Sequence, residues 1–124
     1  MKYKTDYKIP IPLTGWKSGI YMFHCIETDF YYIGSSVDLR PRLQEHNSCL
    51  KRGEHICKLL QEHYNNNYHF DTTILFQDSK HRNSYTILEY ECIKYFYEHG
   101  YKLYNYGLYK GDEKSIKMYQ GNVL

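Results

Sequence analysis

The chain has 124 residues, 42% of them hydrophobic and 24% charged, with a formal net charge of +2 at pH 7. These values suit one domain around one compact core and leave little material for a second. They exclude a membrane span, since no stretch approaches the ~20 apolar residues one requires. They also exclude recruitment of nucleic acid by net charge alone.

Charge is unevenly distributed. Residues 1–17 carry four lysines against Asp6, residues 39–58 carry five basic side chains against Glu45 and Glu54, and residues 102–124 carry four lysines against two acids. Residues 61–100 reverse the balance, with six carboxylates against Lys80, Arg82 and Lys94. A polarised molecule gives this pattern, as does an ordinary solvated surface. Sixteen tyrosines exceed what a core of this size needs; most, such as Tyr90, Tyr95 and Tyr97, suit amphipathic packing or contacts at a binding surface. Four widely spaced cysteines without a Cys-x-x-Cys pair read as reduced thiols. His46, Cys49, His55 and Cys57 lie close together, but His55 and Cys57 are two apart and would diverge on a helix, which weighs against zinc.

In chain order, Met1 to Lys17 alternates lysines and prolines with apolar residues and shows no signal-peptide core, so a soluble, cytoplasmic protein is expected. Pro10 and Pro12 bracket an extended piece there, which predicts an arm. Ser18 to Ile26 and Phe30 to Ile33, rich in aromatic and branched residues and separated by Glu27-Thr28-Asp29, predict a hairpin. Asp38 is placed to cap a helix from about Asp38 to Leu50, with Pro41 in its first turn and Leu39, Leu43 and Leu50 on one face.

A second helix is predicted over Glu54 to Tyr64, stopped by Asn65-Asn66-Asn67. Phe70 to Phe76 alternates as a strand. Tyr85 to His99 carries Leu88, Cys92 and Phe96 at helical spacing before Gly100. The order β-β-α-α-β-α predicts an α+β domain, a small antiparallel three-stranded sheet flanked by helices. We expect an arm at 1–17, a domain at 18–107 and a tail at 108–124.

Within the predicted hairpin stand two tyrosine words, Gly19-Ile20-Tyr21 and Tyr32-Ile33-Gly34, followed by Arg42, His46 and Glu89. An arginine, a carboxylate and two tyrosines are the groups that phosphodiester cleavage needs. Arg42 offers a fixed cation with planar donors for charge gathering on a phosphoryl group. His46 follows Arg42 by one helical turn, so both can share a face, where it could bind phosphate, assist proton transfer or cap a surface.

Gly19-Ile20-Tyr21, Tyr32-Ile33-Gly34-Ser35, Arg42, His46, Glu89 and Asn105 together resemble the GIY-YIG nuclease family over about Ser18 to Tyr106. The resemblance implies an endonuclease that hydrolyses DNA phosphodiesters with one divalent cation, Mg2+ or Mn2+, bound by a helical glutamate. That glutamate maps onto Glu89, four residues before Ile93. Its competitor Glu91 points nearly opposite, whereas Glu89 borders the Leu88, Cys92, Phe96 face. A lone carboxylate leaves coordination positions for phosphate and water. The resemblance makes Tyr21 the candidate base, if nearby cations lower its pKa, with Tyr32 as its support. Asn105 matches an asparagine that supports the active site, although by itself it reads as a turn residue.

Lys51, Arg52 and Lys58 are candidate contacts to the DNA backbone, with a solvated surface as the bland alternative. Nothing resembles a second DNA-reading module, so specificity is expected from the arm, the tail, a homodimer rather than a monomer, or DNA shape. No small-molecule cofactor and no membrane partner is expected. The alternative reading is a non-cleaving or partner-dependent nucleic-acid-binding module of recombination or repair.

Overall fold

A computed structural model of the chain describes residues 3–4, 7–12 and 17–105. The expected tail at 108–124 lies outside the described residues. The elements run β1 (Tyr3–Lys4), β2 (Ile11–Pro12), β3 (Ser18–Cys25), β4 (Phe30–Ser36), α1 (Leu39–Lys51), α2 (Lys58–Asn65), β5 (Phe70–Asp78), α3 (Thr86–Glu98) and β6 (Lys102–Leu103).

The domain is α+β, and the expected three antiparallel strands are present: β3 pairs antiparallel with β4 on one side and β5 on the other. The expectation of a purely antiparallel sheet is corrected by β6, which adds a fourth strand parallel to β4 and makes the order β5-β3-β4-β6. Two residues carry no readable period, and only the return of the chain after α3 places them beside β4.

Strand β3 is central and nearly continuously buried because both its faces are covered. Tyr21, Phe23 and Cys25 join Leu39, Leu43 and Leu50 of α1 and Leu60 of α2 in one core. Ile20 joins Ile33, Ile93 of α3 and Leu103 of β6 in the other. The N-terminal arm contributes more than an extended piece, since Ile9 and Ile11 are fully buried in the first core. Asn47 of α1 holds it there, accepting from the Ile9 N–H at 3.2 Å and donating to the Ile9 carbonyl at 2.9 Å. From β5, the Thr72 hydroxyl donates to the Pro10 carbonyl at 2.6 Å.

Three local expectations are corrected. Asp38 occupies the N-cap position of α1 but makes no capping bond with its side chain, and one carboxylate oxygen instead accepts from Arg82 at 2.6 Å. Helix α2 begins at Lys58 rather than Glu54, after a turn through Gly53 at φ 73°, and Ile56, expected on its apolar face, is 78% exposed. In α3 the buried residues are Tyr90 and Ile93, and Cys92 and Phe96 of the expected face pack against the second core, while Leu88 is 40% exposed. Leu88 alone leaves the expected row, because the helix centres its buried face on Ile93, toward β4.

Candidate active site

The glycine of each tyrosine word answers to a contact. Register sets Tyr21 opposite Gly34, and the Tyr21 phenol lies so close over Gly34 that a Cβ there would overlap it. Gly19 stands beside the β-bulge between Ile20 and Tyr21, where a Cβ would run into the Phe76 carbonyl of β5. Both tyrosines are buried, Tyr21 at 1% and Tyr32 at 7% exposure. Phe23 and Tyr32 stack with centroids 4.8 Å apart, and Tyr21 flanks the stack 6.1 Å from Phe23.

Helix α1 supplies Arg42 and His46 from one face. The Arg42 guanidinium pairs with the Glu45 carboxylate one turn along the helix and interacts electrostatically with the Tyr21 hydroxyl. His46 is buried, with its Nε2 2.7 Å from the Tyr21 hydroxyl and its Nδ1 2.9 Å from Nε2 of His55. His55 in turn accepts from the Cys57 backbone N–H on its Nδ1 at 3.0 Å. A cleft lined by Tyr32, Arg42, His46 and His55, with Glu45 and Glu54 at its edge, opens beside this chain of rings.

Burial governs the titration of the group. It drives His46 down to about 2 and His55 to about 4, with Arg42 adding to both shifts, so both imidazoles are neutral. The Tyr21 hydroxyl is held well above its ordinary value by burial and by the Tyr32 hydroxyl, against the charge and hydrogen bond of Arg42. The expected lowering of Tyr21 by cations is therefore outweighed: the resting side chain is a phenol. Arg42 is raised, as the facing tyrosines and Glu45 outweigh its desolvation.

Glu89 is half-buried and Glu91 exposed, as the facing argument expected. The Ser35 hydroxyl donates to a Glu89 carboxylate oxygen at 2.5 Å. Alternation along β4 turns Tyr32 and Gly34 toward α1, and Ser35 toward α3. The two halves nonetheless sense each other, since the Glu89 carboxylate opposes ionisation of Tyr21.

Asn105 is buried and acts as an extension of the sheet, accepting from the Ile33 N–H at 3.0 Å and donating to the Ile33 carbonyl at 2.8 Å. It thereby fixes the backbone between Tyr32 and Gly34. Lys51, Arg52 and Lys58 are exposed near the α1–α2 junction, and Arg52 pairs with Glu54 at 2.7 Å.

The four residues weighed for zinc do not converge. His46 and His55 bond each other, the Cys57 thiol donates to the Tyr104 carbonyl at 3.6 Å, and Cys49 accepts from Arg52 at 3.5 Å. Among the described residues no three His, Cys, Asp or Glu side chains gather as metal ligands. Sequence reasoning missed Ser35 as the anchor of Glu89, and considered His55 only for zinc. No spacing rule links His55 to His46, because a turn and not a helix joins them.

A strand hairpin bearing both tyrosine words, an arginine helix packed beneath it and a glutamate helix on the opposite face are thus held together in one α+β domain. The family model of the GIY-YIG catalytic domain matches residues 17–105, and the chain belongs to that family, a family of nucleases. Comparisons with curated proteins and with solved structures found no match.

Proposed function

We propose that the protein is a DNA endonuclease that hydrolyses phosphodiester bonds with Tyr21, Tyr32, Arg42 and Glu89 and one divalent cation, Mg2+ or Mn2+. The observation that carries this reading is the meeting of the Tyr21 hydroxyl and the Arg42 guanidinium on one side of β4 with a serine-anchored Glu89 on the other.

The donor set fits a hard divalent ion, because Glu89 offers carboxylate oxygen with the Ser35 hydroxyl oxygen beside it. Bound at Glu89, such an ion would offset charge on the phosphoryl group and lower the pKa of a water. The chain's own residues do the rest. Arg42 carries two or more N–H donors toward a phosphoryl oxygen and stabilises the added charge of the transition state. Tyr21, once ionised, takes the proton of the attacking water as the phosphorus–leaving-oxygen bond breaks. Tyr32, buried yet lining the cleft, orients water or phosphate. Asn105 holds β4 in register beneath them.

We assign catalysis to residues 18–107, and DNA contacts to Lys51, Arg52 and Lys58 with help from the arm and the tail, in a monomer or homodimer. The test is cleavage of supercoiled plasmid with Mg2+ or Mn2+ by the wild type, Arg42→Ala and Glu89→Gln, each checked for folding. Metal-dependent nicking lost in both variants supports the reading. Cleavage at the wild-type rate by either variant overturns it, and DNA binding without cleavage under any metal favours the binding-module alternative.

A further inference from the structure

The hydrogen bonds around His46 have a direction, and it can be traced from one group whose role is fixed. A backbone N–H only donates, so the Cys57 N–H requires a bare nitrogen at Nδ1 of His55, 3.0 Å away. Neutral His55 then carries its proton on Nε2 and donates it to Nδ1 of His46 across 2.9 Å. Nδ1 of His46 is therefore bare as well, and its proton sits on Nε2, pointing at the Tyr21 hydroxyl oxygen 2.7 Å away. Reversing any link sets two N–H groups against each other. A second proton on His55 would face the Cys57 N–H, and one on His46 would face the His55 Nε2–H.

We propose that His46 serves Tyr21 as a tautomer-locked hydrogen-bond donor, a positioning residue and not its base. The proposal rests on the nuclease reading above and assigns the direction of the His46–Tyr21 hydrogen bond within that site. The Tyr21 oxygen receives the Nε2–H of His46, and the Arg42 charge acts on the same hydroxyl. Ionisation of Tyr21 passes its proton to water and leaves a phenolate held by the His46 N–H and by the Arg42 charge. The phenolate then takes one proton from the attacking water, and His46 keeps its own throughout.

The lock has its own scaffold. Gln61 of α2 accepts from the His55 backbone N–H at 3.0 Å and donates to the Leu50 carbonyl at the end of α1 at 3.0 Å. The turn that presents Cys57 to His55 is thus tied to both helices.

Imidazole nitrogen NMR of the labelled wild type near neutral pH reads the tautomers directly. Both His46 and His55 are expected as neutral rings protonated at Nε2; a proton on Nδ1 of either overturns the proposal. The activity arm compares His46→Gln, whose amide can still donate to Tyr21, with His46→Leu, which cannot. Cleavage by His46→Gln is expected within about ten-fold of wild type and by His46→Leu to fall about 100-fold or more, the scale on which a lost general base also acts. Equal losses in two folded variants overturn the proposal, because a base is replaced by neither side chain. If His46→Leu does not fold, the spectra and His46→Gln still decide. Absence of cleavage by the wild type would overturn the nuclease reading alone, while the spectra would still judge the hydrogen-bond direction.

Discussion

The phenol of Tyr21 rests directly on the Cα of Gly34, so that one word of the motif is closed by the missing side chain of the other. A methyl group at Gly34 has nowhere to go unless the tyrosine moves. Gly34→Ala is expected to destabilise the fold by about 1–3 kcal/mol as an overpacked core does, and to abolish cleavage by displacing the Tyr21 hydroxyl from His46. Denaturant unfolding and plasmid nicking check the two parts separately.

Arg42 faces two buried tyrosines, and in the proposed mechanism its planar fork lets one side chain serve both Tyr21 and a phosphoryl oxygen. Arg42→Lys keeps the charge and loses the fork. We expect cleavage to fall by about 100-fold or more, on the scale of losing one transition-state donor, with little change in stability. Single-turnover rates on a short duplex measure the effect; a rate within a few-fold of wild type would show that charge alone suffices.

The hydroxyl of Ser35 orients Glu89 at 2.5 Å. Removing such a support for a metal ligand costs about 10- to 100-fold in metal affinity. Ser35→Ala is therefore expected to raise the Mg2+ or Mn2+ concentration needed for half-maximal cleavage by that factor while sparing the maximal rate more. A metal titration of activity that superimposes on wild type would rule this out.

The buried histidines make stability depend on acid. His46 at about 2 and His55 at about 4 lie below the value near 6.5 of an unfolded chain, so the unfolded state binds more protons as pH falls below about 6.5. Stability is complete above that value and declines as pH drops toward 4, by up to about 1.4 kcal/mol per pH unit for each histidine. Asp78, lowered to about 2, and the lowered Glu27 act only further into acid. Thermal unfolding midpoints between pH 7 and 4.5 should fall for the wild type and change less for the His46→Gln, His55→Gln pair.

Asn105 satisfies both backbone groups of Ile33 from a buried position. Asn105→Ala leaves a buried N–H and carbonyl unpaired at the β4 edge, which costs about 1–3 kcal/mol for a group so orphaned. Hydrogen exchange at the Ile33 amide is expected to accelerate along with the loss in unfolding free energy. Unchanged exchange there would show that β6 alone holds this edge.

Much of this molecule was legible because it is local. Aromatic and branched runs around a polar turn named β3 and β4, alternation named β5, the spacing of Leu39, Leu43 and Leu50 named α1, and Gly100, at φ 84°, marked the end of α3. The ordered set from Tyr21 to Asn105 carried the family, and the spacing to Ile93 together with helical geometry favoured Glu89 over Glu91. What only the tertiary structure decided is nonlocal. The parallel pairing of β6, the burial of Ile9 and Ile11, the row of α3 that meets β4 and the bond from Ser35 to Glu89 each join segments that no short-range period connects. The ionisation of Tyr21 belongs to the same class. The role of Tyr21 as a base was conditional on cations lowering its pKa, but burial by residues from β4 and α1 outweighs Arg42, because removing an ion from water costs more than one partly solvated neighbour returns.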